Sequence, residues 1–179
     1  PSLRHRPFGV GGGSERGVVA TANYLARQFG VRSAMSGAHA RRLCPQLHFV
    51  KPDHRYYREL STKVLEVLTQ VTAQVEPASI DEFYLDLTDN PLHYGSASLT
   101  MEAIRSELRA LGLTASAGIS CQKMVAKIAS EERKPDGQFV VPPDQLEAYI
   151  AQLNLKRIPG VGPKSLERLQ HAGYYLGKD

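Results

Sequence analysis

Two adjacent carboxylates, Asp81 and Glu82, stand in the run Pro77-Ala78-Ser79-Ile80-Asp81-Glu82-Phe83-Tyr84-Leu85-Asp86-Leu87. Hard divalent cations such as Mg2+ take oxygen ligands, and one or two carboxylates completed by substrate phosphates is the usual way a protein holds that ion. From Phe83 the pattern is that of a strand, with Phe83, Leu85 and Leu87 on one face and Tyr84 and Asp86 on the other. Neighbouring carboxylates on a regular strand point to opposite faces. Sharing one cation therefore needs the tight turn that Pro77-Ala78-Ser79 signals just upstream. Taken alone, the pair reads sooner as solvated acids at a strand end than as a metal site, because charged side chains usually stay exposed.

Three further clusters have types and spacings suited to phosphate. In Thr21-Ala22-Asn23-Tyr24-Leu25-Ala26-Arg27, a helix opening at Thr21 places Tyr24 and Arg27 side by side. Its free N–H groups and dipole favour an anion, and the Arg27 fork matches phosphate oxygens. An N-cap followed by an amphipathic surface helix would leave the same pattern. Lys134 follows the helical run Lys123–Ser130, just ahead of Pro135 and a turn at Asp136-Gly137. It is either a point charge for phosphate or a cation offsetting a helix C-terminus. In Ile158-Pro159-Gly160-Val161-Gly162-Pro163-Lys164-Ser165 two glycines open a helix and bring backbone N–H groups close to an outside anion. Lys156, Arg157, Lys164 and Arg168 make a nucleic-acid phosphate the expected one, in the hairpin of a helix-hairpin-helix motif; a plain interhelical turn is the alternative.

Other constellations fail on spacing. Gly11-Gly12-Gly13 belongs to neither G-x-x-x-x-G-K-[ST] nor G-x-G-x-x-G and reads as the tip of a hairpin. His39, Cys44 and His48 are three soft ligands without the fourth that structural zinc takes. The histidines support no Ser-His-Asp or Cys-His arrangement.

The chain of 179 residues can bury one core, or one compact domain with a satellite. With 42% hydrophobic and 22% charged residues it has the composition of a soluble globular protein. No apolar run approaches the ~18 residues of a membrane span and no secretory signal opens the chain. Two cysteines in no paired spacing fit a reducing cytoplasm. The net charge of +4 is unevenly spread. Residues 1–50 carry seven arginines against the single acid Glu15, residues 51–100 four bases against eight acids, and residues 151–179 five bases against two acids. Basic ends around an acidic centre suit a polyanion gripped at both ends with metal ions between, although chance clustering on a solvated surface gives the same sums.

The elements that must position these groups alternate in type. Strands are expected at Phe8–Val10, Gly17–Ala20, Leu47–Val50, Gln74–Glu76, Phe83–Leu87, Leu113–Gly118 and Gln138–Val141. Helices are expected at Thr21–Phe29 (closed by Gly30), Ser36–Leu43, Tyr56–Thr72, Ser98–Leu111, Gln122–Glu132, Pro143–Gln152 and Leu166–Ala172. This order predicts an α+β fold, a sheet with helices packed on it. Such sheets serve nucleotide polymerases and nucleotidyl cyclases alike, and fold does not choose between them.

Five stretches, GVVATANYLARQFGVRSAM, PASIDEFYLDLT, GLTASAGIS, MVAKIASEERKPDGQFVV and IPGVGPKS, occur in the order found in Y-family, lesion-bypass DNA polymerases. The chain resembles that family, in its bacterial polymerase IV (DinB) branch, over nearly its whole length. The resemblance implies a polymerase palm sheet with packed helices, a small fingers subdomain and the start of a helical thumb with a helix-hairpin-helix. The corresponding ranges are 1–53 for fingers, 54–142 for palm and 143–179 for thumb. It implies that Asp81 and Glu82 are catalytic and metal-binding, coordinating a pair of Mg2+ ions. It also implies that Thr21, Tyr24, Arg27 and Lys134 bind the incoming triphosphate, and that Pro159, Gly160, Val161, Gly162 and Lys164 hold the DNA backbone. The implied partners are primer-template DNA, deoxynucleoside triphosphates and, through a C-terminal region, a sliding clamp. The implied setting is the bacterial cytoplasm at the nucleoid. Small fingers residues (Gly30, Ser33, Ala34, Ser36 and Gly37) would leave a pocket open to damaged templates.

Departures from the family pattern carry their own expectations. An HVDMDCFFA-like strand, which brings another metal-binding Asp, and the C-terminal DNA-gripping domain are not in the 179 residues, so little or no polymerase activity is expected of this chain by itself. Asp136 stands where Asn is common and would weaken a triphosphate site slightly, and Pro163 adjoins Lys164. A non-catalytic DNA-binding module is the rival reading. A nucleotidyl cyclase is a weaker one, since a cyclase has no use for the Pro159–Lys164 hairpin.

Overall fold

A computed structural model of the chain describes residues 3–14 and 17–179. The expected hairpin tip includes Glu15 and Arg16, which lie outside the described residues. The chain forms two compact units, residues 1–58 and 59–179.

In the first unit, β1 (Phe8–Gly11), β2 (Val19–Ala22) and β3 (His48–Val50) form one sheet in the order β2-β1-β3. β1 runs antiparallel to β2, with a register shift at Val10/Gly11, and parallel to β3. Two short helices follow β2: α1 (Tyr24–Gln28) and α2 (Gly37–Leu43). Val19, Ala26, Val31, Ala40 and Cys44 are fully buried and form the centre of the core. Burial pushes the Cys44 thiol pKa up, so this cysteine behaves as a small apolar side chain. α2 starts where expected, with Ser36 as its N-cap accepting from the His39 N–H. Gly37 does not contribute to an open pocket. It is buried, and a Cβ there would lie 1.8 Å from the Gly12 carbonyl oxygen.

The second unit takes in most of α3 (His54–Thr69) and then alternates types. β4 (Val75–Pro77) pairs antiparallel with β5 (Phe83–Leu85), α4 (Ala97–Ala110) leads to β6 (Ala117–Ser120), and α5 (Lys123–Ala129) crosses to β7 (Gln138–Val141), parallel to β6. A 3-10 turn at Pro143–Gln145 runs into α6 (Leu146–Ala151), and a second at Leu155–Arg157 precedes α7 (Pro163–His171). Leu68, Ile104 and Leu108 form one core with Val64, Val71, Phe83, Leu85 and Met101, and Val125, Ala129 and Val141 form another with Phe139 and Tyr149.

The α+β class is as expected, but the described strands of this unit form two separate ladders rather than one sheet. Leu87 lies outside β5: the last bond across the hairpin is from the Asp86 N–H to the Gln74 carbonyl at 3.0 Å, after which the Asp86 carboxylate accepts from the Thr88 N–H and the chain turns away. The strand expected at Leu113 begins only at Ala117, where its partner Gln138 begins; the Ala115 carbonyl is taken by Arg105 instead. α5 stops at Ala129 rather than Glu132, since the Glu131 and Glu132 N–H groups turn back three residues to Ile128 and Ala129.

Candidate functional site

Asp81 and Glu82 both lie in the turn joining β4 to β5, as the Pro77-Ala78-Ser79 signal predicts. Two backbone bonds close this turn, from the Ala78 and Ser79 N–H groups to the Glu82 carbonyl at 2.9 and 3.1 Å. Ser79 organises the acids. Its hydroxyl accepts from the Asp81 and Glu82 N–H groups at 3.2 and 3.1 Å and donates to Asp81 Oδ1 at 2.6 Å. Both carboxylates are exposed. Glu82 is ion-paired with Lys127, and Glu76 on β4 with Lys123, one turn earlier on α5. The Lys123 ammonium also stands 5.6 Å from the Tyr84 ring centroid. The hydrogen bond to Glu82 raises the Lys127 pKa, against a smaller opposing effect of burial. Two exposed, oxygen-only donors in one turn are of the type that Mg2+ takes, with substrate phosphates and water completing the set. Among the described residues no third His, Cys, Asp or Glu joins them.

Lys134 is exposed beyond the end of α5, with its ammonium 2.6 Å from Glu131. The turn after it is held from α4. Arg109 Nε donates to Asp136 Oδ2 at 2.8 Å, and an Arg105 terminal nitrogen lies 3.2 Å from Asp136 Oδ1. Chiefly the Arg109 bond, and then Arg105, hold the Asp136 carboxyl below the ordinary aspartate range. The anion expected to weaken a phosphate site is thus already balanced by two guanidinium groups. Asp136 takes φ 48°, a left-handed conformation that Asp tolerates better than most side chains.

In the first unit Tyr24 and Arg27 do meet on α1, with the guanidinium carbon 5.6 Å from the ring centroid. Tyr24 is half exposed, and Arg27 Nε donates to the Ala22 carbonyl at 2.9 Å. Thr21 is not the helix start. It sits in β2 opposite Val10, and α1 begins three residues later with Asn23 as its cap. Asn23 Oδ1 accepts from the Ala26 N–H and from the Phe8 N–H, both at 3.0 Å, so one side chain caps the helix and ties it to β1. A β-branched residue in the ladder followed by Asn at the turn is the better assignment. The Thr21 hydroxyl is on an exposed strand residue.

The Ile158–Gly162 hairpin is closed by Val161 N–H to the Ile158 carbonyl at 3.0 Å and Gly162 N–H to the Gly160 carbonyl at 3.1 Å. Pro159, Gly160, Gly162 and Lys164 are exposed, while Val161 is half-buried. Gly160 has φ +89°, and a Cβ at either glycine would meet nothing within 4 Å. Gly162 is the N-cap of α7 and makes no side-chain cap bond, which leaves the first-turn N–H groups without helical acceptors. Pro163 suits this place, because the first helical position has no use for an N–H. Arg157, expected to face nucleic acid, is turned inward. It pairs with Glu132 at 2.7 Å, beside the Tyr149 hydroxyl that donates to the same carboxylate at 2.6 Å. Burial and that carboxylate push the Tyr149 pKa up to about 12.

Sequence reasoning missed Ser79, Arg105, Arg109 and Lys127. For Arg105 the signal was available. It directly follows Ile104 on the apolar stripe of α4, where a charge has to find partners inside.

Residues 1–131 match the impB/mucB/samB family. The chain is 51% identical to a DNA polymerase IV of Pseudoalteromonas translucida over 100% of its own length and 51% of the relative's. Against a DNA polymerase IV of Vibrio vulnificus the identity is 49%, with the same coverage. The chain thus spans about half the length of these curated relatives. Among solved structures, DinB from Sulfolobus solfataricus is similar with a TM-score of 0.88 at 30% identity, over 98% of this chain and 52% of the other. An insertion ternary complex of Dbh DNA polymerase gives 0.89 at 31%, over 98% and 53%.

Proposed function

The chain belongs to the impB/mucB/samB family, and from that premise we propose that it carries the nucleotide-incorporating part of a Y-family, translesion DNA polymerase. The proposed division is fingers over 1–53, palm over 54–142 and the start of a thumb from 143. Asp81 and Glu82 hold Mg2+ at the tip of the β4–β5 hairpin. When bound, the ions supply the Lewis acidity that activates a primer 3′-hydroxyl and stabilises leaving pyrophosphate. Ser79 fixes the Asp81 carboxylate through its hydroxyl, and Lys127 keeps Glu82 in place until a cation competes for it. In the second unit Lys134 binds the triphosphate of the incoming deoxynucleotide and offsets the charge that grows on it. In the first unit Thr21, Tyr24 and Arg27 are assigned to triphosphate on the same chemical grounds. The Pro159–Lys164 hairpin, with exposed glycines at 160 and 162, takes a DNA phosphate on the N–H groups that its closing bonds do not use, those of Gly160 and of the first turn of α7, and Lys164 adds a positive charge. The substrate is primer-template DNA in a bacterial cytoplasm.

The observation that carries this reading is the acid hairpin, two exposed carboxylates held in one turn by Ser79. Asp81→Asn and Glu82→Gln in the full natural chain are expected to lower Mg2+-dependent primer extension by about 10²–10³-fold. Primer-template affinity should stay within about threefold. DNA binding indifferent to Mg2+ and nucleotide, with no incorporation by the unsubstituted protein, would establish the non-catalytic binding module instead.

A further inference from the structure

Arg105 is the one charged side chain among the described residues that falls in the buried class, 5% exposed. A buried guanidinium is costly unless its donors are matched, and an apolar side chain in its place often costs less. Its presence therefore calls for a task. Nε donates to the Ala115 carbonyl at 3.0 Å and one terminal nitrogen to Gln138 Oε1 at 3.2 Å. The other terminal nitrogen reaches both the carbonyl of Asp136, in a close contact, and Asp136 Oδ1 at 3.2 Å. Three segments are fixed this way: the approach to β6, the turn after α5 and the start of β7. Arg109, one turn along α4, holds the second Asp136 oxygen at 2.8 Å. On the other side of the turn Gly137 is pressed against its neighbour, with a Cβ position 2.1 Å from the Arg133 carbonyl oxygen.

Lys134 emerges from this turn two residues before Asp136. A lysine carries its charge on a flexible stem, so its ammonium is placed only as well as its backbone is held. With both Asp136 oxygens taken by arginines, the nearest carboxylate on Lys134 is the exposed Glu131, a partner that a phosphate can displace.

We propose that Arg105, with Asp136 and Arg109, is a positioning residue for Lys134, fixing the turn from which that ammonium meets the triphosphate of an incoming nucleotide. This rests on the role given to Lys134 above. The test is single-nucleotide incorporation by the full natural chain, with primer-template affinity measured in parallel. Asp136→Ala is expected to raise the nucleotide KM about tenfold, with kcat within about threefold and DNA affinity unchanged. Asp136→Asn keeps an oxygen acceptor for the arginines and restores most of the loss. Arg109→Ala, at the exposed arm of the clamp, raises KM less and carries the same test if Asp136→Ala does not fold. In a Lys134→Ala background, Asp136→Ala adds less than about twofold. An unchanged KM in Asp136→Ala, or an effect that multiplies fully with that of Lys134→Ala, overturns the positioning role and leaves Lys134 its own. An unchanged KM in Lys134→Ala itself removes the role of Lys134, and the positioning falls with it.

Discussion

The turns at Lys134–Gly137 and Ile158–Gly162 each precede or follow a helix, the first beginning with a lysine proposed to meet phosphate and the second followed two residues later by another, Lys164, yet they are built in opposite ways. The first is clamped by side chains: two arginines of α4 on Asp136, and a glycine with no room for a Cβ. The second is closed by short backbone bonds, and its glycines face open space. The difference fits the ligands proposed for the two turns. A triphosphate must be placed against one reacting atom, and a fixed turn is what the proposed role of Lys134 requires. A DNA backbone repeats its charge and has no single productive position, so exposed N–H groups and a lysine serve without a clamp. The same residue type, glycine, answers to internal packing in one turn and faces open space in the other, where the proposed DNA backbone would approach.

Substituting those glycines is the strongest way to break the comparison. Gly137→Ala is expected to cost about 2–3 kcal/mol in chemical denaturation, because backbone must move to admit the methyl group. Gly162→Ala, with ordinary φ and free space, should stay within about 0.5 kcal/mol while weakening DNA binding severalfold. Equal stability losses at the two positions would erase the distinction. A smaller effect separates the lysines. Lys164→Ala should reduce the slope of log affinity for DNA against log salt by about 1, whereas Lys134→Ala should leave that slope unchanged and show in nucleotide binding. Equal slope changes for both would mean that both turns touch DNA backbone.

The smallest effect is on acid stability. The Arg109 hydrogen bond, then Arg105, depress the folded-state pKa of Asp136. Its contribution is therefore fully present above the ordinary aspartate value of about 3.9 and lost as pH falls through the depressed folded value. Thermal melts of Asp136→Ala across that window should fall less steeply with acid than those of the unsubstituted chain. Parallel curves would show that the arginines do not depend on this carboxylate.

Much of this was legible in the residue order. Alternation places the start of β5 at Phe83 although it carries the strand two residues too far, to Leu87; the turn signal places Asp81 and Glu82 together, and the strand at Gln138–Val141 matches at both ends. Element boundaries failed where a side chain from a distant segment competed for the backbone. Ala115 is kept out of β6 by Arg105, ten residues earlier, and Thr21 is drawn into a ladder with Val10. Neither partner lies within a window that local pattern can weigh.

The sequence by itself determined the chemistry available: an acid pair in a turn, a Tyr–Arg pair one helical turn apart, lysines beside turns, and glycines ahead of a helix. These follow from side-chain type and from the periods of helix and strand, which are local. Which charges are spent inside the fold was decided only by tertiary structure. Arg157 goes to Glu132, Asp136 to two arginines and Glu82 to Lys127, while Asp81 keeps to Ser79. A charge has no preferred partner along the chain. Its partner is whichever opposite charge or dipole the packed backbone brings within about 3 Å, and that distance exists only once the fold has formed.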